Sequence, residues 1–131
     1  MEQPKFLSWE IVAALHRRSL ERWGGIDGVR DRAGLESALG AAENAFFYGG
    51  GDVYDIGAAY AFHLAESQGF LDGNKRTAIA CAATFLLGNG CIDRAHDLEL
   101  YDAMIALSAR RMDKAGLAAV LRKEFPRAAG G

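Results

Sequence analysis

The sequence predicts an all-helical fold, a bundle of about six helices with one helix buried at its centre. Three observations carry this reading. Alanine and leucine together number 38 of the 131 residues, whereas valine, isoleucine and threonine number 12; the first group favours helices and the second favours strands. The only prolines are Pro4 and Pro126, so no helix interior is interrupted. Apolar residues recur at helical spacing in segment after segment.

Taken in order, Ser8 is a suitable N-cap for a first helix running to about Arg22, with Ile11, Val12, Leu15 and Leu20 as its apolar stripe and Gly24-Gly25 as its stop. Gly34 to about Phe46 forms a second helix, with Leu35, Leu39 and Ala42 on one face. Tyr48 to Asp52 reads as a flexible, glycine-rich loop. A third helix runs from about Asp55 to Ser67 and mixes large and small residues, as a closely packed helix does. After a break over Gly69–Asn74, Lys75 to Gly88 is apolar nearly all round, the pattern of a central helix, and Asn89-Gly90 ends it. A fifth helix is expected over about Asp97–Ala109 and a sixth over about Lys114–Glu124, followed by a frayed tail from Pro126. One domain over residues 1–131 suits this length, with its core over about residues 8–125.

Composition narrows the function classes. Fifteen basic against seventeen acidic residues give a net charge of −2, so no basic field argues for nucleic acid. The longest apolar stretch, Thr77–Leu87, is too short to span a bilayer, and the start of the chain is polar, unlike a secretory signal. Cys81 and Cys91 lack metal-ligand spacing and read as reduced, partly buried thiols. A soluble cytoplasmic protein with no membrane or nucleic-acid partner is the expectation.

Chemistry concentrates in Gly69-Phe70-Leu71-Asp72-Gly73-Asn74-Lys75-Arg76-Thr77, between the third helix and the buried fourth. Unpaired N–H groups at a helix start attract anions, and Gly73 lets the backbone curl closely around a ligand. Lys75 and Arg76 add positive charge there. Asp72 is a lone carboxylate beside this anion site, which suits Mg²⁺ held jointly with phosphates and water. A plainer reading stands beside this one: Asp-Gly and Gly-Asn are ordinary turn signals, and Asp72 or Asn74 could simply cap the next helix.

The segment resembles the signature of the Fic/Doc family, written His-Pro-Phe-x-(Asp/Glu)-Gly-Asn-Gly-Arg-x-x-Arg in Fic enzymes and His-x-Phe-x-Asp-(Gly/Ala)-Asn-Lys-Arg in Doc toxins. Phe70, Asp72, Gly73, Asn74, Lys75 and Arg76 fall on it without a gap. Leu15-His16, Gly24-Gly25, Gly34 to Leu39, Phe47 to Gly50 and Phe85-Leu86 with Asn89-Gly90 resemble Doc-type sequences in the same order. Lys75 stands where Fic enzymes have glycine, and the second Fic arginine would fall at Ile79, so the resemblance is to the Doc branch. It implies a toxin that uses ATP and Mg²⁺ to transfer the γ-phosphate to a threonine or serine of elongation factor Tu, arresting translation. It implies Asp72 as the Mg²⁺ ligand, Gly73, Asn74, Lys75 and Arg76 as phosphate holders, and Tyr48, Gly49 and Gly50 in a target-binding loop. Its partner would be an antitoxin that folds a disordered C-terminal segment onto the toxin.

One position departs from the pattern. The family histidine would fall two residues before Phe70, where this chain has Gln68. Histidine there would take the proton of the attacking hydroxyl; an amide cannot, so this chain is expected to be inactive or weak. His63 is five residues upstream on the same helix, about 7.5 Å of rise and roughly 140° of rotation away, and reads as a packing residue. His16 reads as structural and His96 as a surface residue. A Fic-type adenylyltransferase and a non-catalytic nucleotide- or antitoxin-binding module are the alternatives.

Overall fold

Aspartates and a serine set where four of the six helices begin. A computed structural model describes residues 2–129, and the regular elements among them are α1 (Trp9–Trp23), α2 (Arg32–Phe47), α3 (Val53–Ser67), α4 (Asn74–Gly88), α5 (Asp97–Ser108) and α6 (Lys114–Glu124). The expected all-helical fold of six helices is present. Ser8 accepts from the Ile11 N–H at the head of α1, Asp31 from Gly34 at α2, and Asp113 from Gly116 at α6. Asp52 and Asp55 form a reciprocal capping box at α3, which satisfies two orphan N–H donors at once. The caps at Asp31 and Asp52 explain why α2 and α3 start two residues before their expected positions. Asp52 therefore belongs to a helix start rather than a flexible loop.

The core is one continuous cluster drawn from all six helices. α3 lies at its centre, packed against α2, α4, α5 and α6, with Val53, Tyr54, Ile56, Gly57–Ala61 and Leu64 buried. Small residues let its neighbours approach: a Cβ on Gly57 would stand 3.5 Å from both Leu86 and Leu121. The helix expected at the centre, α4, packs against α1, α3 and α5 but leaves Lys75, Arg76, Leu87 and Gly88 exposed. Alanine explains the difference, because a helix rich in it reads as apolar all round without needing burial all round.

Residues near both ends of the described chain are tied down. The Leu7 N–H donates to the Tyr60 hydroxyl at 3.0 Å, and Asn89 bonds both the N–H and the C=O of Lys5. At the other end, Ile92 donates to the Pro126 carbonyl at 2.8 Å and Ala128 to that of Gly90 at 3.0 Å. The expected fraying from Pro126 is thus absent over residues 126–128, where backbone pairing with residues 90–92 supplies the partners; Gly130 and Gly131 lie outside the described residues. Both cysteines are buried and unpaired, and burial pushes the Cys81 thiol up to about 12. No described helix is long and apolar enough to cross a membrane.

Candidate functional site

The loop from α3 to α4 is built from its own backbone and two buttresses. Gln68 ends α3 in the left-handed region (φ 45°, ψ 40°), and the chain turns sharply into Gly69. The Gly69 carbonyl accepts from both Arg30 and Asp31, and Leu71 donates to Gly28. A Cβ on Gly69 would overlap Leu35 Cγ and come within 2.9 Å of the Asp31 carbonyl, so only glycine fits between the loop and α2. From the other side, His16 of α1 stacks on Phe70 with ring centroids 3.8 Å apart. Its Nε2–H donates to the Asp72 carbonyl at 2.9 Å; a carbonyl can only accept, so Nε2 carries the proton.

Asn74 closes the loop. Its Oδ1 accepts from the Phe70 N–H at 3.0 Å and its Nδ2 donates to the Phe70 carbonyl at 2.9 Å. The side chain expected to hold phosphate is therefore occupied in holding the loop. What it leaves for a ligand is backbone. Gly73 precedes α4 at φ 78°, a conformation that costs an L-residue about 1 kcal/mol, and no side chain caps this helix. Its first intrahelical donor is Thr77, to the Gly73 carbonyl, which leaves the N–H groups of Asn74, Lys75 and Arg76 without acceptors among the described residues. Three such donors at the positive end of a 15-residue helix suit an anion.

These groups border a cavity of about 520 Å³ lined by Gln68, Asp72, Gly73, Asn74, Lys75 and Arg76. Of the motif residues, Phe70 does not line this cavity and is buried in the core. Asp72 Oδ2 accepts from the Ile26 N–H at 3.1 Å, while Oδ1 has no described partner. One carboxylate with an open oxygen beside unpaired helix-start N–H groups fits a Mg²⁺–phosphate ligand, since Mg²⁺ takes one or two carboxylates and completes its shell with phosphate and water. Arg76 lies over the Trp23 ring at 4.6 Å and within 5.8 Å of the Tyr101 centroid, which leaves Lys75 as the uncommitted cation of the motif.

Tyr48, Gly49 and Gly50 stand apart. They precede α3 whereas Gln68 follows it, and fifteen residues of helix separate the two ends by about 22 Å. Tyr48 is 87% exposed there. Sequence reasoning missed the part of the cavity lining contributed by Tyr101, Ser108 and Arg110, from α5 and the turn after it. The only local signal was the Arg110-Arg111 pair between two helices. The histidines follow expectation. His63 faces Lys114 of α6 at 3.2 Å, away from the cavity, and burial and then that lysine hold its pKa below the ordinary 6.5. His96 is exposed at the head of α5, beside the buried Glu124.

The Fic/DOC family model matches residues 6–86, from the strap before α1 through the loop and most of α4. A relative named protein kinase doc, from Escherichia phage P1, is 29% identical over 122 residues, which is 92% of this chain and 96% of that one. Toxin Doc from Mycolicibacterium smegmatis is 42% identical over 87 residues, 58% of this chain and 65% of that one. The matched span contains His16, the glycine of the tight turn, the loop it supports and the uncapped helix start, so the geometry and the comparison converge, and the chain belongs to the Fic/DOC family.

Proposed function

We propose that this chain is a Doc-type toxin scaffold whose cavity binds Mg–ATP and directs the γ-phosphate onto a serine or threonine of a translation factor, elongation factor Tu, with activity weak or absent because Gln68 occupies the base position. The observation that carries the reading is the uncapped start of α4 beside Asp72 and Lys75. Similarity to a relative named a protein kinase supports the reaction class. So does Ile79, which stands where the second arginine of an AMP-transferring member would fall. It packs against the core and lines a groove with Trp23 and Leu98 rather than this cavity.

In this reading the N–H groups of residues 74–76 and Lys75 orient the phosphates, and Asp72 holds Mg²⁺, which offsets phosphate charge when bound. The hydroxyl oxygen attacks phosphorus, the bond to the ADP oxygen breaks, and the hydroxyl proton needs an acceptor. Gln68 offers an amide oxygen that can orient the hydroxyl but does not titrate near neutrality. Loss of such a base lowers rates by about 10²–10⁴, and what survives comes from positioning and charge. An antitoxin that folds a segment onto the chain is the proposed partner; similarity to a relative named a toxin supports an antitoxin partner.

The test is phosphate transfer from γ-labelled ATP with Mg²⁺ and elongation factor Tu, for this chain beside Gln68→His. Label transferred by the histidine form at least a hundredfold faster is expected. Equal rates would remove the base argument. No label from either form would leave a non-catalytic nucleotide- or antitoxin-binding module, and transfer of an α-label would mean adenylyl transfer.

A further inference from the structure

The cavity is also lined by a cation that the motif does not account for. Arg110 sits in the turn between α5 and α6 and lines the same cavity as Gln68, Asp72 and Lys75. Its backbone is left-handed, with φ 63°, because it ends α5: the Arg110 and Arg111 N–H groups donate to the Leu107 and Ala106 carbonyls, the usual closure of a helix C-terminus. Its guanidinium is not committed to the fold. The side chain is 72% exposed, and its one acidic partner among the described residues is Glu66 Oε2 at 3.6 Å, itself on the cavity wall. So long and exposed a pair holds weakly. Arg76, by contrast, is stacked against Trp23.

We infer that Arg110 is a phosphate-binding residue of this site, gripping the outer phosphates of a nucleoside polyphosphate whose remaining phosphates lie at the start of α4. The inference rests on the nucleotide reading above and adds to it where selectivity for a polyphosphate arises. The cavity sets Lys75, Arg76 and Arg110 against Asp72 and Glu66, and without Arg110 its cations only balance its acids. A guanidinium fork matches two phosphate oxygens. Glu66 then acts as a placeholder: it parks Arg110 beside the cavity, and a phosphate, the stronger acceptor set, displaces it.

Calorimetric titration of the full chain with Mg–ATP, Mg–ADP and AMP tests this, using the wild type, Arg110→Gly, Arg110→Lys and Glu66→Gln. Glycine is the informative replacement because it adopts φ 63° without strain, so the turn is kept while the side chain is removed; a urea midpoint no lower than that of the wild type checks that. Arg110→Gly is expected to weaken ATP binding about tenfold or more, the worth of one charge-assisted hydrogen bond, and AMP binding less than about twofold. Arg110→Lys should fall between, and Glu66→Gln should bind ATP at least as tightly as wild type. If the wild type binds ATP and Arg110→Gly binds it equally well, the inference falls and the nucleotide reading stands. A parallel loss for ATP and AMP overturns the assignment to the outer phosphates. A wild type that binds no nucleotide overturns both.

Discussion

His16 should matter to the candidate site as a support rather than as a reactant, and two replacements separate its contributions. The residue is 4% exposed, with its ring stacked on Phe70 at 3.8 Å and 8° and its Nε2–H on the Asp72 carbonyl at 2.9 Å. His16→Phe keeps the ring and the stack but removes the donor. The bond is only part-buried, so water can satisfy the freed carbonyl, and the cost should be about 1 kcal/mol, near the net worth of one hydrogen bond. His16→Ala also removes the ring from beneath the loop, and large-to-small core truncation costs about 2–5 kcal/mol. Urea unfolding measures both, with the midpoint reporting stability and an unchanged slope showing that the unfolded state is comparable. Mg–ATP affinity should follow the same order, because Asp72 and Gly73 lose their positions in turn. Equal costs for the two variants would refute the division between ring and donor. A cost under about 1 kcal/mol for His16→Ala would refute the buttress itself.

Two further outcomes follow from the same geometry. Gly69→Ala forces a methyl group into Leu35 and the Asp31 carbonyl, and overpacking of this kind costs about 1–3 kcal/mol; urea unfolding should show that loss, with weaker Mg–ATP binding because the loop moves. His63 has its pKa lowered by burial and by Lys114. Below its ordinary value of 6.5, the unfolded state therefore binds a proton that the folded state refuses. Its contribution to stability is complete above that value and declines as pH falls toward the folded pKa. His63→Gln should flatten the dependence of the urea midpoint between about pH 7 and pH 5, and an unchanged slope would contradict the assignment.

Much of this was legible because the chemistry is local in sequence. Residues 68–76 are contiguous, so the elements of the candidate site could be read without knowing how helices pack. Six helices were legible because alanine and leucine mark each one and turn residues separate them. Three things were hidden for physical reasons. Asp31 and Asp52 are caps, but an aspartate reads equally well as a surface charge until the following N–H groups point at it. Asn74 carries two donors and an acceptor, and only the fold reveals that Phe70 engages both ends of its amide. Tyr101, Ser108 and Arg110 reach the cavity through the packing of α5 on α3 and α4, a long-range arrangement with no local pattern to announce it.

Position 68 is where fold and chemistry part company, and that makes it the most informative residue in the chain. Gln68 caps α3 in the left-handed region, and its exposed side chain lines the cavity without a hydrogen bond to any described residue. The strain at this φ, about 1 kcal/mol, belongs to the backbone and falls on any L-residue placed there; histidine is among the residues found in this region more often than most. Neither the buttress of His16 nor the Asn74 closure touches this side chain. Gln68→His should therefore change stability by no more than about 0.5 kcal/mol, as surface substitutions do. Any change in transfer rate it produces then reports the proton acceptor alone, because the N–H groups at the start of α4, Asp72 and Lys75 keep their places.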